Sequence, residues 1–458
     1  MRAVLLLPGV LPDRGHEGEA LPRGAHRLEM IGVNSVKGDG RMRLYDIEWF
    51  VNDDGAQVRR LILHMPDEVE MADVVGEKFC IYVERKDKNG EVLCVKPSWS
   101  APKALPTRGY RTLLAAYPSD EKGNPLLKGK YVTLEMDMND AQSRALIGEL
   151  SGNFFADCCY RVTQTAPIGD LTGLVFDELG KIRCPEAERY TSTVSSFEDL
   201  PLLYSYYTPE GQPLPGEKGS SPGGKKLPCI IWLHGAGEGG EDPRVTYLGN
   251  RVTALSSDPI QKFMGGAWVL APTCPTMWMD DGSHTYGNSG RSMYSEALFA
   301  LIEEFVSSHE VDRDRIYVGG CSNGGFMTMR LLIDHPDYFA AGYPMCEALY
   351  DDTILDSDIE KIKDVPIWFL HAMTDAVVDP KKTSVPTYKR LIAAGARDTH
   401  FTFIDDRPPF HQMVNHGCWL LGLNNQENYD FDGRPVMLRG KEVTRFEWLA
   451  AMRRNRRQ

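Results

Sequence analysis

The sequence predicts a β-rich domain over residues 1–188 followed by an α/β domain over residues 189–458. Three observations lead to this fold class. The chain has 458 residues, which is more than one ordinary hydrophobic core supports. Its first part shows short apolar or alternating runs separated by turn-forming residues. From about Tyr190 onward, nearly continuous apolar strands alternate with helical segments, which is typical of a mostly parallel sheet covered on both faces.

The first part of the chain contains many short candidate strands. They include RLYDIEWFV, VRRLILHM, KFCIYVERK and KYVTLEMDM, and the turn formers DDG, KNG and PSDEKGNP lie between them. This spacing predicts an all-β sandwich of the immunoglobulin-like kind. The segment AQSRALIGELSG at 141–152 is the exception, and we expect one short helix there.

Composition and charge disfavour several classes of protein. A net charge of −13 disfavours nucleic-acid binding, because neutralising phosphates needs a basic face. No apolar run approaches the ~20 residues of a membrane-spanning helix. The ten cysteines show neither a CxxC pair nor regular spacing, so we expect reduced thiols, no metal site and a cytoplasmic protein. Secretion is the alternative if a signal segment once preceded MRAVLLLPGVLP.

The segment RIYVGGCSNGGFMTMR places a serine in a turn between a predicted strand and a predicted helix. Residues Gly320 to Gly324 match the pattern G-x-S-x-G. Glycines let the neighbouring backbone approach such a turn, and the amides that begin the following helix favour negative charge. Ser322 is therefore the candidate nucleophile. We expect Cys321, directly before it, to be a small buried residue under the turn.

A serine that transfers acyl groups needs donors for the developing oxyanion and a base oriented by an acid. The strand LPCIIWLHGAGEGG ends in a glycine-rich loop, so the amides of Ala236 and Gly237 are candidate donors, together with that of Asn323. Asp375 follows the strand PIWFLHA at its carboxyl edge, and we expect it to be the acid. Asp379 is the alternative, although its ordinary role would be a turn or a helix cap.

Two histidines in the segment FHQMVNHGCW are candidates for the general base. Spacing alone does not separate His411 from His416. His371 lies inside an apolar strand, so we expect a core histidine with satisfied hydrogen bonds. Three side chains could line an apolar or aromatic acyl pocket or could equally pack in the core, namely Trp278, Met279 and Trp419.

Taken together, these motifs resemble the predicted-peptidase and esterase branch of the α/β-hydrolases. This group is close to feruloyl esterases, polyhydroxybutyrate-depolymerase-like esterases and prolyl-oligopeptidase-type catalytic domains. The resemblance covers about Thr191 to Trp448 and rests on LPCIIWLHGAGEGG, APTCPTMW, DRDRIYVGGCSNGG, PDYFAAGYPMC, PIWFLHAMTDAVV and HGCW. It implies the α/β-hydrolase fold, an acid at Asp375 and a base at His416, which decides against His411. The β-rich part resembles the immunoglobulin-like domain that some members carry.

The chain departs from this group at two positions. Asn323 stands where the group often has Met, which leaves its backbone amide usable. Glu347 stands where the group commonly has glycine, so it is either a carboxylate that enters the substrate pocket or a solvent-facing loop residue.

The resemblance implies a serine carboxylesterase that needs no cofactor and no metal. Its partner would be a small-molecule or oligomeric ester, such as an aryl, feruloyl or short acyl ester, and no nucleic acid. The alternatives are a serine peptidase of the prolyl-oligopeptidase type, or a glycan- or protein-binding module that has kept a hydrolase fold. The sequence leaves the oligomeric state open.

Overall fold

The computed structural model describes residues 4–5, 43–96, 103–149, 152–213, 225–285, 287, 289–405 and 416–454. The chain forms two compact units. The smaller unit comprises Met1–Phe50, Ala56–Ile147 and Phe155–Pro185, and the larger comprises Val51–Gly55, Gly148–Phe154 and Glu186–Gln458. The expected boundary between residues 188 and 189 stays a prediction.

In the described part of the first 185 residues, short 3-10 helices occur at Met71–Asp73 and Gly76–Lys78, and strands are the main regular elements. In chain order these are β1 (Val4–Leu5), β2 (Leu44–Asn52), β3 (Gly55–Glu70), β4 (Phe79–Lys86), β5 (Cys94–Lys96), β6 (Leu105–Pro106), β7 (Arg108–Tyr110), β8 (Leu113–Ser119), β9 (Lys128–Met136), β10 (Leu146–Glu149), β11 (Gly152–Phe155), β12 (Asp157–Gln164), β13 (Val175–Phe176) and β14 (Glu178–Arg183). One sheet has the order β14-β2-β3-β9-β8 and another β13-β12-β4-β7. Along β4, buried and half-buried residues alternate, as expected for a strand with one face on a core. The prediction of an all-β domain is confirmed.

The short helix expected at 141–152 is wrong. The chain forms β10 and β11 there, and these two strands pair with each other. Ala145 is fully buried, its N–H donates to the carbonyl of Ala56, and its own carbonyl accepts the N–H of Ala156. Burial and strand pairing therefore outweigh the helix propensity of this segment.

The larger unit is built on an eight-stranded sheet with the order β15-β16-β18-β17-β19-β20-β21-β22. From β18 to β22 the neighbouring strands are parallel, whereas β15 and β16 are antiparallel to their neighbours. The elements are β15 (Tyr190–Val194), β16 (Leu203–Tyr207), β17 (Leu227–Leu233), α1 (Arg244–Leu248), α2 (Asp258–Met264), β18 (Trp268–Thr273), α3 (Ser295–Ser308), β19 (Val311–Cys321), α4 (Asn323–Asp334), β20 (Ala341–Met345), α5 (Asp356–Ile362), β21 (Ile367–Ala372), α6 (Ser384–Ala393), β22 (Thr399–Ile404), α7 (Trp419–Leu423), β23 (Met437–Leu438), β24 (Lys441–Glu442) and α8 (Arg445–Ala451).

The core of this unit lies on the parallel sheet. Every residue of β17, β18, β20 and β21 is buried, which explains their nearly continuous apolar sequences. Helix α3 packs on the core through one apolar face that includes Leu298, Leu301, Ile302 and Phe305. The predicted α/β class is confirmed. None of the helices in the described part of the chain is long and apolar enough to span a membrane.

The carboxyl ends of the parallel strands meet at one edge of the sheet. The loops that leave β17, β19 and β21 at this edge carry the HGAGEGG segment, Ser322 and Asp375. Open α/β sheets build their ligand sites at this edge.

Candidate active site

Ser322 lies in a strained turn between β19 and α4. Its φ of 56° and ψ of −116° are unusual for a residue other than glycine. A Cβ at Gly320 or at Gly324 would collide with the carbonyl oxygen of Leu233, so only glycine fits on either side of the serine. The N–H of Ser322 donates to the Met345 carbonyl at 2.9 Å, which anchors the turn to β20.

Ser322, His416 and Asp375 form a continuous hydrogen-bonded chain. Nε2 of His416 lies 2.8 Å from Oγ of Ser322, and Nδ1 of His416 lies 2.8 Å from Oδ2 of Asp375. Because a carboxylate only accepts hydrogen bonds, we assign the ring proton to Nδ1. Nε2 is then free to accept the hydroxyl proton of Ser322.

Asp375 is held by more groups than His416 alone. Its Oδ1 accepts the N–H groups of Val377 at 2.8 Å and Val378 at 3.0 Å, and Nε2 of His371 lies 3.1 Å from its Oδ2. Burial acts to raise the pKa of Asp375, yet hydrogen bonds from His371 and His416 and the nearby charge of His416 lower this pKa well below its usual range. The carboxylate therefore stays ionised at neutral pH.

Asp379, the alternative acid, lies outside this hydrogen-bonded chain. Asp379 is exposed and accepts the N–H of Lys381 at 3.0 Å, which is the turn role expected for it. His411 lies outside the described residues. His371 is fully buried, as expected, but its contact with Asp375 was not predicted. The spacing H-x-x-x-D in HAMTD carried that signal.

The HGAGEGG loop after β17 is fixed by its own buried side chains. His234 is fully buried; its Nε2 accepts the Cys274 N–H at 2.9 Å, and its Nδ1 lies 2.7 Å from the Gly235 carbonyl. Burial lowers the pKa of His234 to about 4, so the ring is neutral and donates from Nδ1. These contacts orient the HGAGEGG loop.

Glu238 is a second loop residue that fixes the backbone, and sequence reasoning missed it. Its Oε2 accepts the N–H of Gly235 at 2.9 Å, and its Oε1 accepts a hydrogen bond from Asn250. Glu238 is 2% exposed, and burial raises its pKa to about 8. The HGAGEGG motif contains this residue, but the motif does not show that its carboxyl bridges Gly235 and Asn250, which lies twelve residues further along the chain.

The three candidate oxyanion donors lie on the two segments that flank the nucleophile. Among the described residues, the amides of Ala236 and Gly237 have no hydrogen-bond acceptor, and Gly237 takes a φ of 87°. Asn323 is the first residue of α4, where helix amides lack an intrahelical partner. Its side-chain oxygen accepts the N–H of Met279 at 2.9 Å, which ties the segment after β18 to the start of α4.

The four candidate pocket residues differ in their burial and in their neighbours. Trp278 and Met279 pack in the core of the larger unit, as the alternative reading of these residues allowed. Trp419 is half-buried, with its ring centroid 5.4 Å from that of His416. Glu347 is 1% exposed, so its solvent-facing alternative is wrong. Burial raises the pKa of Glu347 to about 8. A substrate contact for any of the four stays a prediction.

The thiol beside the nucleophile is buried. Cys321 has no solvent exposure, and burial is the largest of the effects that raise its pKa well above the usual range. It therefore lacks the thiolate character of a nucleophile and packs under the turn, as expected. Another buried thiol, Cys346, lies close enough to Asp375 and His416 for the three to hold a metal ion.

Comparison with known proteins matches each part of the chain to a separate family. Residues 50–177 match the model of the esterase Ig-like N-terminal domain. Residues 277–361, which include Ser322, match the model of the prolyl oligopeptidase family. A solved structure of a thermostable esterase has a TM-score of 0.66, is 23% identical, and aligns over 83% of this chain and 96% of its own. The chain has an α/β-hydrolase fold with an Ig-like N-terminal domain.

Curated relatives of this α/β-hydrolase match over shorter stretches. A protein of Neurospora crassa named feruloyl esterase B is 30% identical over 122 residues, which are 26% of this chain and 38% of the relative. A protein of Arthroderma benhamiae named an uncharacterized secreted protein is also 30% identical over 122 residues. The matched stretch is 12% of that protein. The α/β-hydrolase chain thus spans well under half of either relative.

Proposed function

We propose that this α/β-hydrolase is a serine carboxylesterase. The observation that carries the proposal is the 2.8 Å spacing on both sides of the His416 ring. Ser322 attacks the ester carbonyl while Nε2 of His416 accepts the hydroxyl proton. Asp375 keeps the ring oriented and stabilises its charged form, and the ring then gives the proton to the leaving alcohol. In the second half of the reaction, water attacks the acyl-enzyme while His416 accepts its proton. The carboxylic acid then leaves as His416 returns the proton to Ser322.

The negative oxygen of the tetrahedral intermediate needs donors that are already in place. We assign this role to the amides of Ala236, Gly237 and Asn323. The contacts of His234 and Glu238 support the assignment, because they fix the loop before substrate arrives. Donors that do not reorganise during the reaction stabilise developing charge most strongly.

Ester rather than amide cleavage is supported by the curated relatives. Two of them are named feruloyl esterase B, and a third is named putative esterase. Aryl, feruloyl and short acyl esters are therefore the first substrates to try. The match of residues 277–361 to the prolyl oligopeptidase family favours a serine peptidase as the second candidate. A binding module is disfavoured, since it would not need an aligned serine, histidine and aspartate.

A substrate panel on two proteins tests the proposal. Wild type and Ser322→Ala are assayed with p-nitrophenyl acetate, a methyl ferulate, a polyester and a dipeptide amide. We expect ester turnover in wild type only, with the far-ultraviolet circular dichroism of the variant unchanged. Turnover of the dipeptide but of no ester would favour the peptidase. Equal ester turnover by Ser322→Ala would refute the nucleophile.

The cytoplasmic location also stays a proposal. All ten cysteines are free thiols, which suits a reducing compartment. The relative from Arthroderma benhamiae carries the word secreted in its name, so secretion is the alternative. Fractionation of the native host, with activity measured in the culture medium and in the cell extract, separates the two.

A further inference from the structure

Three buried thiols surround the serine, histidine and aspartate. Cys321 directly precedes Ser322, Cys346 follows β20, and Cys418 lies in the 3-10 turn that begins at His416. All three cysteines have no solvent exposure and none is in a disulfide. The proposed hydrolysis uses none of these thiols. We therefore asked what three buried thiols beside the reacting residues could bind.

One of these thiols, that of Cys346, forms a set of metal-ligand atoms with the acid and the base. Sγ of Cys346, a carboxylate oxygen of Asp375 and a ring nitrogen of His416 all lie within 4.8 Å of one another. The thiol of Cys346 also forms a hydrogen bond with the thiol of Cys418. A fourth potential donor, Cys418, therefore adjoins Cys346.

The donor set has the chemistry of a zinc site. Zn²⁺ prefers four ligands of sulfur, imidazole nitrogen and carboxylate oxygen in tetrahedral geometry, with bonds of about 2.0–2.3 Å. Ligand atoms of such a site are roughly 3.3–3.8 Å apart. The ligand atoms of Cys346, Asp375 and His416 would need to approach one another by about 1 Å at the widest, and the thiol of Cys418 would turn toward them from beside Cys346. The 18% exposed side chain of His416 is the open side of the cluster, through which an ion can enter.

We propose that a thiophilic divalent cation binds Cys346, Asp375 and His416, with Cys418 as the fourth donor, and reversibly blocks the active site. Each bound thiol releases its proton to solvent. The ion takes the place of the Nδ1 proton between His416 and Asp375, and that proton moves through solvent to Nε2 of the ring. A coordinated ring no longer aligns with Ser322 as a base. The block of hydrolysis rests on the proposed function, whereas binding of the ion does not.

The test measures binding and hydrolysis separately. Zn²⁺ binding is measured by equilibrium dialysis, and Cd²⁺ binding by the ultraviolet absorption of the cadmium–thiolate bond, on wild type and Ser322→Ala. We expect one ion per chain in both proteins, because the serine hydroxyl is not a ligand. If no ester is hydrolysed by wild type, the proposed function fails while the binding result still decides the metal site.

Cysteine variants locate the ion. Cys346→Ser and Cys418→Ser are each expected to weaken Zn²⁺ binding about tenfold or more and to lose cadmium–thiolate absorption. Cys229→Ser is the matched control, since it changes a fully buried thiol of the same unit outside the cluster. It should bind Zn²⁺ as wild type does. Two variants keep the test decisive if one of them does not fold.

Reversal by a chelator and the zinc sensitivity of Cys346→Ser test the block of hydrolysis. A chelator should restore ester hydrolysis to zinc-treated wild type, and Zn²⁺ should inhibit Cys346→Ser at least about tenfold less strongly. Wild type without cadmium–thiolate absorption, or with a zinc affinity that neither cysteine variant alters, would overturn the site.

Discussion

The ring of His371 donates a hydrogen bond to the carboxylate of Asp375 across 3.1 Å. Both side chains are fully buried. Nε2 of His371 also lies 3.1 Å from the Val378 carbonyl, so two acceptors face this nitrogen and we assign it the proton. Nδ1 accepts from the hydroxyl of Ser384. His371 therefore positions the acid from behind, while His416 binds the same oxygen from the substrate side.

Removing this donor should slow catalysis. A hydrogen bond to a charged group contributes about 1.5–3 kcal/mol, so we expect His371→Ala to lower kcat about tenfold to a hundredfold. KM should change little, because the residue does not touch substrate. Steady-state kinetics on p-nitrophenyl acetate gives both constants. Ser384→Ala, which leaves the contact with Asp375 in place, should have the smaller effect; an equal loss in both variants would indicate general disruption of the core.

The identity of the acid is tested by a pair of isosteric changes. Asp375→Asn should lower kcat by about 10⁴, since an amide neither fixes the tautomer of His416 nor stabilises its charged form. Asp379→Asn is the matched control, because Asp379 is exposed and serves a turn. Its kcat should stay near that of wild type. The reverse pattern of kinetic loss would reassign the acid to Asp379.

Stability should fall as pH rises because of two buried carboxyls. Glu238 and Glu347 both have a pKa of about 8, against an ordinary value of 4.5. The folded chain therefore holds more protons than the unfolded chain between these values. The free energy of unfolding decreases as pH rises from about 4.5 to about 8, by up to about 5 kcal/mol for each carboxyl.

Urea unfolding across that pH range measures this effect. Glu238→Gln and Glu347→Gln should each remove part of the pH dependence, since glutamine does not ionise. Glu135→Gln is a suitable comparison, because the pKa of Glu135 lies below its ordinary value. Unchanged pH dependence in both buried-glutamate variants would contradict the prediction.

The turn at the nucleophile should not tolerate a methyl group. A Cβ at Gly324 would meet the backbone carbonyls of Leu233, the last residue of β17, and of His234, which follows it. We expect Gly324→Ala to cost at least about 1–3 kcal/mol of stability and to abolish turnover. Gly417→Ala is the control beside His416, because no atom of the described residues lies within 4 Å of its added Cβ and its φ is −74°. Thermal unfolding and ester hydrolysis compare the two.

Local pattern was enough to predict the elements that position the site. The parallel strands are apolar along their whole length, and the glycines around Ser322 are required by collisions with Leu233 that follow from the turn itself. The helix predicted at 141–152 was wrong because strand pairing in the folded domain outweighs the helix propensity of this segment. His371 and Glu238 were missed because their roles depend on what lies opposite them in space, respectively Asp375 and Gly235.

The order β19-β20-β21 places one strand between the nucleophile and the acid. Neighbouring strands are about 4.8 Å apart, so the two strand ends are roughly 10 Å apart, close to the span of one imidazole with a hydrogen bond on each side. The spacing of the strands thus fixes the distance between the nucleophile and the acid. Loops at this edge can lengthen, shorten or change sequence without altering that interval, so substrate preference is free to diverge while the reach of the histidine stays constant.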